Sequence, residues 1–248
     1  MSSYILFDTE TTGSSEEDRI IQVGAIVLTN GSTPQVFDEL CSSDVDIKLE
    51  AMEVHNITPD MLTNKPKFID TNFYNLLGEL NHNDNYLIAH NISFDLGMLV
   101  KEGFVCNMQL IDTLRCARHL LDDFPYHRLQ YLRYALDLYK IEEDEALKLG
   151  ITIKAHDAIG DVLVMKLLLA KLTQLAKDKY SLSNKDTITK LVELTSTPVF
   201  VKILKFGKHK GELLENIAKK DMGYLQWLLN TSDLDEDLRY SILKVLGS

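Results

Sequence analysis

The chain has 248 residues, of which 45% are hydrophobic and 25% are charged, proportions that are ordinary for a globular protein. No apolar run approaches the roughly 20 residues that span a membrane, and the first residues lack the basic start and cleavage site of a secretory signal. We therefore expect a cytoplasmic protein with no membrane partner. The net charge of −11 argues only weakly against a nucleic-acid binder, because net charge is a sum and a binding face is local.

Three segments with strand-like patterns open the chain: Tyr4–Phe7, Ile20–Leu28 and Val36–Cys41. The turn-forming sequence TNGSTPQ separates the second segment from the third. Turn chemistry of this kind between two apolar runs predicts an antiparallel meander.

From residue 86 the pattern alternates between strands and helices. NYLIAH predicts a short strand, ISFDLGMLVKEG a helix that ends at Gly103, and Met108–Ile111 another short strand. PYHRLQYLRYALDLY predicts one continuous amphipathic helix, and a last helix is expected over about residues 157–176. Antiparallel strands followed by alternating strands and helices predict an α/β domain on a mixed sheet over residues 1–176.

Beyond this domain the composition changes twice. Residues 177–198 are mostly polar and predict a linker with one short helix, and residues 199–248 predict a small C-terminal α+β module. Residues 199–220 hold six lysines against two glutamates, with Phe206 and His209 interleaved. Two interpretations stay open here: a patch that follows a phosphate backbone, or a solvated lysine face on a structural module.

Four acidic residues stand where a carboxylate is costly. Asp8 and Glu10 end the first strand and, being two residues apart, project from the same face. Asp95 and Asp161 lie on the core-facing stripes of their predicted helices, where charges are uncommon unless paired or metal-bound. Solvated acids or helix caps would explain them singly. Four in one domain favour a shared site for hard divalent cations.

Oxygen ligands of this kind suit Mg²⁺ or Mn²⁺. Two such ions about 4 Å apart stabilise the attacking and the leaving oxygen of a phosphoryl displacement. His156, five residues before Asp161, titrates in the range of a general base, although a capping or surface histidine is the local alternative. The three cysteines, which include no C-x-x-C pair, predict reduced thiols and no zinc site.

Three segments in order, FDTETTG, AHNISFD and HDAIGD, resemble the exonuclease motifs of the DEDDh (DnaQ-like) family of 3′–5′ exonucleases. That family includes polymerase proofreading subunits, exodeoxyribonucleases, oligoribonuclease and ribonuclease T. The resemblance covers about residues 1–176 and implies a ribonuclease H-like fold with two catalytic divalent cations, Mg²⁺ or Mn²⁺. It implies a general base, His156, and four metal ligands: Asp8, Glu10, Asp95 and Asp161. The segments FGKHKGE, YLQWLL and DEDLRYSI resemble the C-terminal module of the exodeoxyribonuclease X group.

The same resemblance implies contacts with the substrate. EAMEVHNITPDML resembles the segment that packs against the 3′-terminal nucleotide in this family, with Glu50 and His55 at the matching positions. A helix start at Thr58 with Pro59 in its first position is the local alternative, and both can hold. Asn91 and Phe94 belong to the second motif and are expected to support the site or to stack on a base.

The expected function is a metal-dependent 3′–5′ exonuclease that acts on single-stranded DNA ends and releases nucleoside monophosphates. An exoribonuclease with the same chemistry is the first alternative, because contacts with a 2′-hydroxyl cannot be read from one sequence. A polymerase-bound proofreading subunit and a non-catalytic nucleic-acid-binding protein are the others. A DNA polymerase or a second copy of the chain as partner stays open.

Overall fold

The structure is a computed structural model, and it describes residues 2–152 and 157–247. It divides into two compact units, Met1–Thr195 and Ser196–Ser248. No helix in the described ranges is long and apolar enough to cross a bilayer.

The first unit is built on one five-stranded sheet. Its strands are β1 (Ser3–Thr11), β2 (Ile20–Thr29), β3 (Gln35–Leu40), β4 (Tyr86–Ala89) and β5 (Gln109–Asp112), in the spatial order β3-β2-β1-β4-β5. The first three strands pair antiparallel, whereas β1 with β4 and β4 with β5 pair parallel. This confirms the predicted antiparallel meander and the mixed α/β sheet.

Helices cover both faces of this sheet. Alternate residues of β1 serve two cores: Leu6 packs in a cluster with Val162 and Leu168, while Phe7 packs on the other face with Phe73. This two-sided burial is what a sheet flanked by helices requires. The helices of the first unit are α1 (Leu49–His55), α2 (Asn72–Glu79), α3 (Ile92–Lys101), α4 (Thr113–Leu120), α5 (Leu129–Ala135), α6 (Tyr139–Leu149), α7 (Ala158–Tyr180) and α8 (Asn184–Ser196), with 3₁₀ turns at Pro59–Leu62 and Phe68–Asp70.

The prediction of one continuous helix over residues 125–139 was wrong, because α5 ends before α6 begins. Asp137 has a left-handed φ of 57°, and the Leu138 N–H donates to the Arg133 carbonyl at 2.9 Å. This is the closing bond of a Schellman motif, which usually has glycine at the left-handed position. Because aspartate stands at this position, the sequence lacks the usual glycine signal for the end of a helix.

Residues 177–198, predicted as a linker with one short helix, contain the end of α7 and the 13 residues of α8. Leu191 and Leu194 of α8 are buried in the core of the first unit. The boundary between the two units falls at Thr195 and Ser196.

The second unit holds three short helices, α9 (Leu214–Lys220), α10 (Met222–Leu229) and α11 (Glu236–Leu246). Before them, an isolated antiparallel bridge joins Ile203 and Leu213. Its buried core is a small cluster of seven apolar residues: Leu204, Leu214, Ile217, Leu225, Leu228, Leu238 and Ile242.

Candidate active site

The site is at the edge of the sheet where the parallel strands end. Because β1 and β4 run parallel, their carboxyl ends meet, and α3 begins three residues after β4. Asp95 lies in the first turn of α3 and is only 3% exposed. The Thr9 hydroxyl donates a hydrogen bond to its Oδ1 at 2.8 Å, which ties α3 to the end of β1. The carboxyl ends of parallel strands are where α/β proteins commonly place their ligand sites.

Gly24 brings the fourth carboxylate to this edge. It pairs with Asp8 across β1 and β2, and the start of α7 rests directly on it. A methyl group on Gly24 would lie 2.7 Å from the Ala158 carbonyl oxygen and closer still to the backbone of Ala158 and Ile159. The absence of a side chain therefore lets α7 approach β2, and the first turn of α7 carries Asp161.

Gln22 fixes the segment that enters α7. It pairs with Glu10 across the two strands, and its side-chain nitrogen donates to Asp157 Oδ1 at 2.7 Å and to Asp38 Oδ1 at 2.8 Å. Asp157 immediately precedes α7. Sequence reasoning missed both Gln22 and Gly24, because their roles depend on the strand register.

The motif carboxylates act on one another electrostatically. Burial, followed by the charges of Asp95, Glu10 and Asp161, raises the pKa of Asp8 well above its ordinary value. Burial, followed by the charges of Asp161, Asp95 and Asp157, raises the pKa of Glu10 to about 8. The charges that act on Asp8 and Glu10 come from neighbouring acids, so the four carboxylates share one negative field. A bound divalent cation would reverse these effects, because it is the largest local charge in such a site.

Hydrogen bonds hold two of these carboxylates in place. Burial raises the pKa of Asp95 to about 7, and its bond from Thr9 opposes that rise. Asp161 Oδ1 accepts from the Gln130 side-chain nitrogen at 2.6 Å. Within residues 2–152 and 157–247, no three acidic, histidine or cysteine side chains are set as a ready-made ligand cluster.

A chain of polar contacts continues behind Gln130. Its side-chain oxygen accepts from Arg133 Nη1 at 3.4 Å, and Arg133 Nε donates to Glu142 Oε2 at 2.6 Å. Glu142 is only 3% exposed. These contacts orient the amide of Gln130 towards Asp161, and nothing in the sequence pattern pointed to them.

Two of the predicted substrate residues, Glu50 and His55, have different surroundings. Glu50 is exposed on α1. His55 is 5% exposed; its Nδ1 accepts from the Ile57 N–H at 2.9 Å, so its Nε2 carries the proton and donates to the Thr11 carbonyl at 3.2 Å. With both ring nitrogens engaged, His55 supports the end of β1 just beyond Glu10. A direct contact between His55 and a nucleotide stays a prediction, as it does for Glu50.

The other two lie at the start of α3. Asn91 has a left-handed φ of 76°, uncommon for a residue other than glycine, and its N–H donates to Asp112 Oδ1 at 3.0 Å. Phe94 is 37% exposed beside Asp95, so its ring is available to a base. His156, the predicted general base, lies outside the described residues.

The donor chemistry of this edge fits a hard divalent cation. Asp8, Glu10, Asp95 and Asp161 offer only carboxylate oxygens, which suit Mg²⁺ or Mn²⁺. All three cysteines are free, and burial raises the pKa of Cys41 and Cys116 to about 12, so neither is a ready thiolate ligand.

Comparison with known proteins identifies the family of the chain. Residues 5–169 match the family model described as Exonuclease, and residues 204–233 match the model described as Exodeoxyribonuclease X-like C-terminal. The chain is 25% identical over 246 residues to exodeoxyribonuclease 10 of Escherichia coli (strain K12), covering 96% of both proteins. It is 32% identical over 206 residues to DNA polymerase III subunit epsilon of Treponema pallidum, covering 77% of this chain and 87% of that protein.

A solved structure supports the fold. The structure described as exonuclease X in complex with 5′ overhanging duplex DNA superposes with a TM-score of 0.53 at 20% identity. The match covers 77% of this chain and 99% of that chain. At this identity the likeness carries the fold alone.

Proposed function

This chain belongs to the exonuclease family, and we propose that it is a metal-dependent 3′–5′ exonuclease that removes nucleoside monophosphates from single-stranded DNA ends. The observation that carries the proposal is the gathering of carboxylates from three separate motifs at one sheet edge. Asp95 and Asp161 come from helices α3 and α7, and both act on the charge of Glu10 at the end of β1. A fold has no stability reason to concentrate acids that raise one another's pKa.

We assign Asp8, Glu10, Asp95 and Asp161 to the binding of two divalent cations, Mg²⁺ or Mn²⁺. When bound, such cations supply positive charge to the attacking and leaving oxygens of the phosphodiester. The chain's own residues position this site. Thr9 and Gln130 orient two of the carboxylates, and the close approach of α7 to Gly24 sets the distance between β1 and Asp161.

The remaining roles concern the substrate and the proton. His156 is proposed to take a proton from the attacking water, in the pH range where imidazole titrates. Phe94, exposed beside Asp95, is placed to stack on the terminal base, and Asn91 holds the start of α3. Glu50 is proposed to contact the 3′-terminal nucleotide, with His55 supporting the strand end from behind.

DNA is favoured over RNA by the C-terminal match and by the full-length likeness to an exodeoxyribonuclease. A second candidate is a proofreading subunit that works with a DNA polymerase. The higher identity to a DNA polymerase III subunit epsilon supports it, whereas the match of residues 204–233 to the exodeoxyribonuclease module favours an independent enzyme.

The test is digestion of matched single-stranded DNA and RNA oligonucleotides labelled at either the 3′ or the 5′ end. Each reaction is run with Mg²⁺, with Mn²⁺ and with EDTA, and His156→Ala is tested beside the wild type. We expect metal-dependent release of the 3′ label from DNA as a mononucleotide, and stepwise shortening of the 5′-labelled strand. The His156→Ala variant should release the label much more slowly than the wild type. Preference for RNA would move the protein to RNA turnover, and loss of the 5′ label first would refute the polarity.

A further inference from the structure

The second unit presents an exposed loop whose shape is fixed by hydrogen bonds at its base. The Gly211 N–H donates to the Leu204 carbonyl at 2.7 Å, and the Leu204 N–H donates to the Glu212 carbonyl at 3.0 Å. These bonds close the loop of residues 205–211, whose exposed side chains are Lys205, Phe206, Lys208 and Lys210.

His209 anchors this loop. It is only 6% exposed, and its two ring nitrogens lie 2.9 Å from Glu212 Oε1 and 2.9 Å from Asp221 Oδ2. Carboxylates accept at both nitrogens, so the ring carries both protons and is charged, and the two hydrogen bonds raise its pKa. The ring also packs edge-on against Tyr224, with centroids 5.0 Å apart. A buried imidazolium with a hydrogen bond at each ring nitrogen therefore holds this exposed loop in place.

Gly207 adds a second constraint. It has a left-handed φ of 68°, and a side chain there would collide with the Tyr224 hydroxyl. The loop therefore lies directly against α10. A lysine-rich loop that served only solubility would have no need of a fixed shape.

The neighbouring face of α10 exposes large apolar groups. Trp227 is 61% exposed and Met222 is 51% exposed, while Leu225 and Leu228 of the same helix fill the core. The Trp227 ring lies 5.7 Å from the Tyr224 ring, which is the ring that supports the loop. Phe206 is itself 45% exposed. The loop and the helix that it contacts thus each expose an aromatic ring.

Charge identifies the partner. Lys208 pairs with Asp221 at 2.8 Å, and Lys220 pairs with Glu212. By contrast, the ammonium groups of Lys205 and Lys210 make no ion pair with any described residue. Unpaired lysines beside exposed aromatic rings are the two components of a surface that binds single-stranded nucleic acid, since phosphates meet the cations and bases stack on the rings.

We propose that loop 205–211 and the exposed face of α10 form a binding surface for single-stranded DNA on the second unit. Bases stack on Phe206 and Trp227, and the phosphates between them contact Lys205 and Lys210. The identification of the bound strand as DNA rests on the proposed function. The existence of a surface that binds single-stranded nucleic acid does not depend on catalysis. Such a surface would retain the strand between successive cleavages.

The test measures DNA binding without turnover. Fluorescence anisotropy of a labelled 20-nucleotide oligothymidylate is recorded in EDTA with the full chain, across a series of salt concentrations. The aromatic variant is Phe206→Ala with Trp227→Ala, and the charge variant is Lys205→Gln with Lys210→Gln. Two controls are matched to them: Leu243→Ala, which is 56% exposed on the second unit, and Lys185→Gln, which is exposed on the first.

We expect the aromatic variant to bind at least about tenfold more weakly. The charge variant should reduce the slope of log affinity against log salt by about 0.7 for each lysine removed. Both controls should bind as the wild type does. Wild-type DNA affinity in both variants would overturn the proposal and leave a solvated lysine face. Binding of a protein at this surface, with DNA affinity unchanged in the variants, would overturn it as well.

A second readout separates this proposal from the function. Hydrolysis of the p-nitrophenyl ester of thymidine 5′-monophosphate should be unchanged in both variants, because this substrate has one base and one phosphate and the reaction uses no residue of the proposed surface. If the wild type hydrolyses neither this ester nor DNA, the proposed function fails, yet the anisotropy measurement still tests the surface. Far-UV circular dichroism tests whether the variants are folded. If the aromatic variant does not fold, the DNA affinity of the charge variant decides the outcome.

Discussion

Substitution of Gly24 by alanine tests how the fold sets the distance between β1 and α7. The new methyl group would lie 2.7 Å from the Ala158 carbonyl oxygen and closer to two other backbone atoms of α7, whereas ordinary contacts begin near 3.4 Å. Backbone cannot rotate aside as a long side chain can, so α7 must move outward by roughly 1 Å. Overpacking of this kind costs about 1–3 kcal/mol of the free energy of unfolding.

The same shift should impair activity more than stability. Asp161 lies in the first turn of α7 and moves with the helix, away from Asp8, which pairs with Gly24 in the sheet. A misplacement of about 1 Å in catalytic geometry can cost on the order of 100-fold in rate. We therefore expect Gly24→Ala to unfold at lower urea concentration and to release nucleotides about 100-fold more slowly.

Gly78→Ala is the matched control, because Gly78 lies within helix α2 and a methyl group there meets nothing within 4 Å. Alanine in a helix interior is favoured over glycine by about 0.5–1 kcal/mol, so this variant should be slightly more stable and fully active. If Gly24→Ala matched the wild type in both urea midpoint and rate, the claim that this glycine positions α7 would be refuted.

Three further predictions concern the carboxylates. Asp8→Asn should lose nearly all hydrolysis yet, in EDTA at pH 8, be more stable than the wild type, because burial and the charges of Asp95, Glu10 and Asp161 disfavour the Asp8 carboxylate; lower stability in urea titrations would contradict this. The folded pKa values of Glu10 and Asp95, about 8 and about 7, exceed their ordinary values of 4.5 and 3.8, so the native state binds more protons. Its metal-free stability should fall between pH 4 and pH 8, by up to about 1.4 kcal/mol per pH unit for each group, and Mg²⁺ should restore it; a flat profile would rule out the shared field. Gln130→Ala should weaken Mn²⁺ binding about tenfold by calorimetry, whereas Gln174→Ala, on the exposed side of α7, should not; equal affinities would remove Gln130 from the site.

The parts of the fold that depend on local pattern were predictable from the sequence. The apolar runs around Leu6 and Ile26 indicated β1 and β2, and the two-residue spacing of Asp8 and Glu10 placed both acids on one face. The resemblance to exonuclease motifs then connected them with Asp95, which the structure brings to the same edge.

What could not be predicted depends on contacts distant in sequence. The role of Gln22 requires both its pairing with Glu10 and the return of the chain at Asp157, 135 residues later. The role of Gln130 requires that α5 end where it does, and the left-handed Asp137 that ends it carries no glycine signal. Side-chain contacts of this kind follow from packing, which no single segment specifies.

The most direct test of the central claim is a Mn²⁺ titration that counts the ions held by the carboxylates. Free Mn²⁺ is measured by electron paramagnetic resonance in the presence of thymidine 5′-monophosphate, for the wild type and for Asp95→Asn. We predict two bound ions per wild-type chain and the loss of at least one in the variant, whose fold circular dichroism should show to be unchanged. No saturable binding to the wild type, or the same two ions in the variant, would contradict the assignment of these carboxylates to a catalytic metal site.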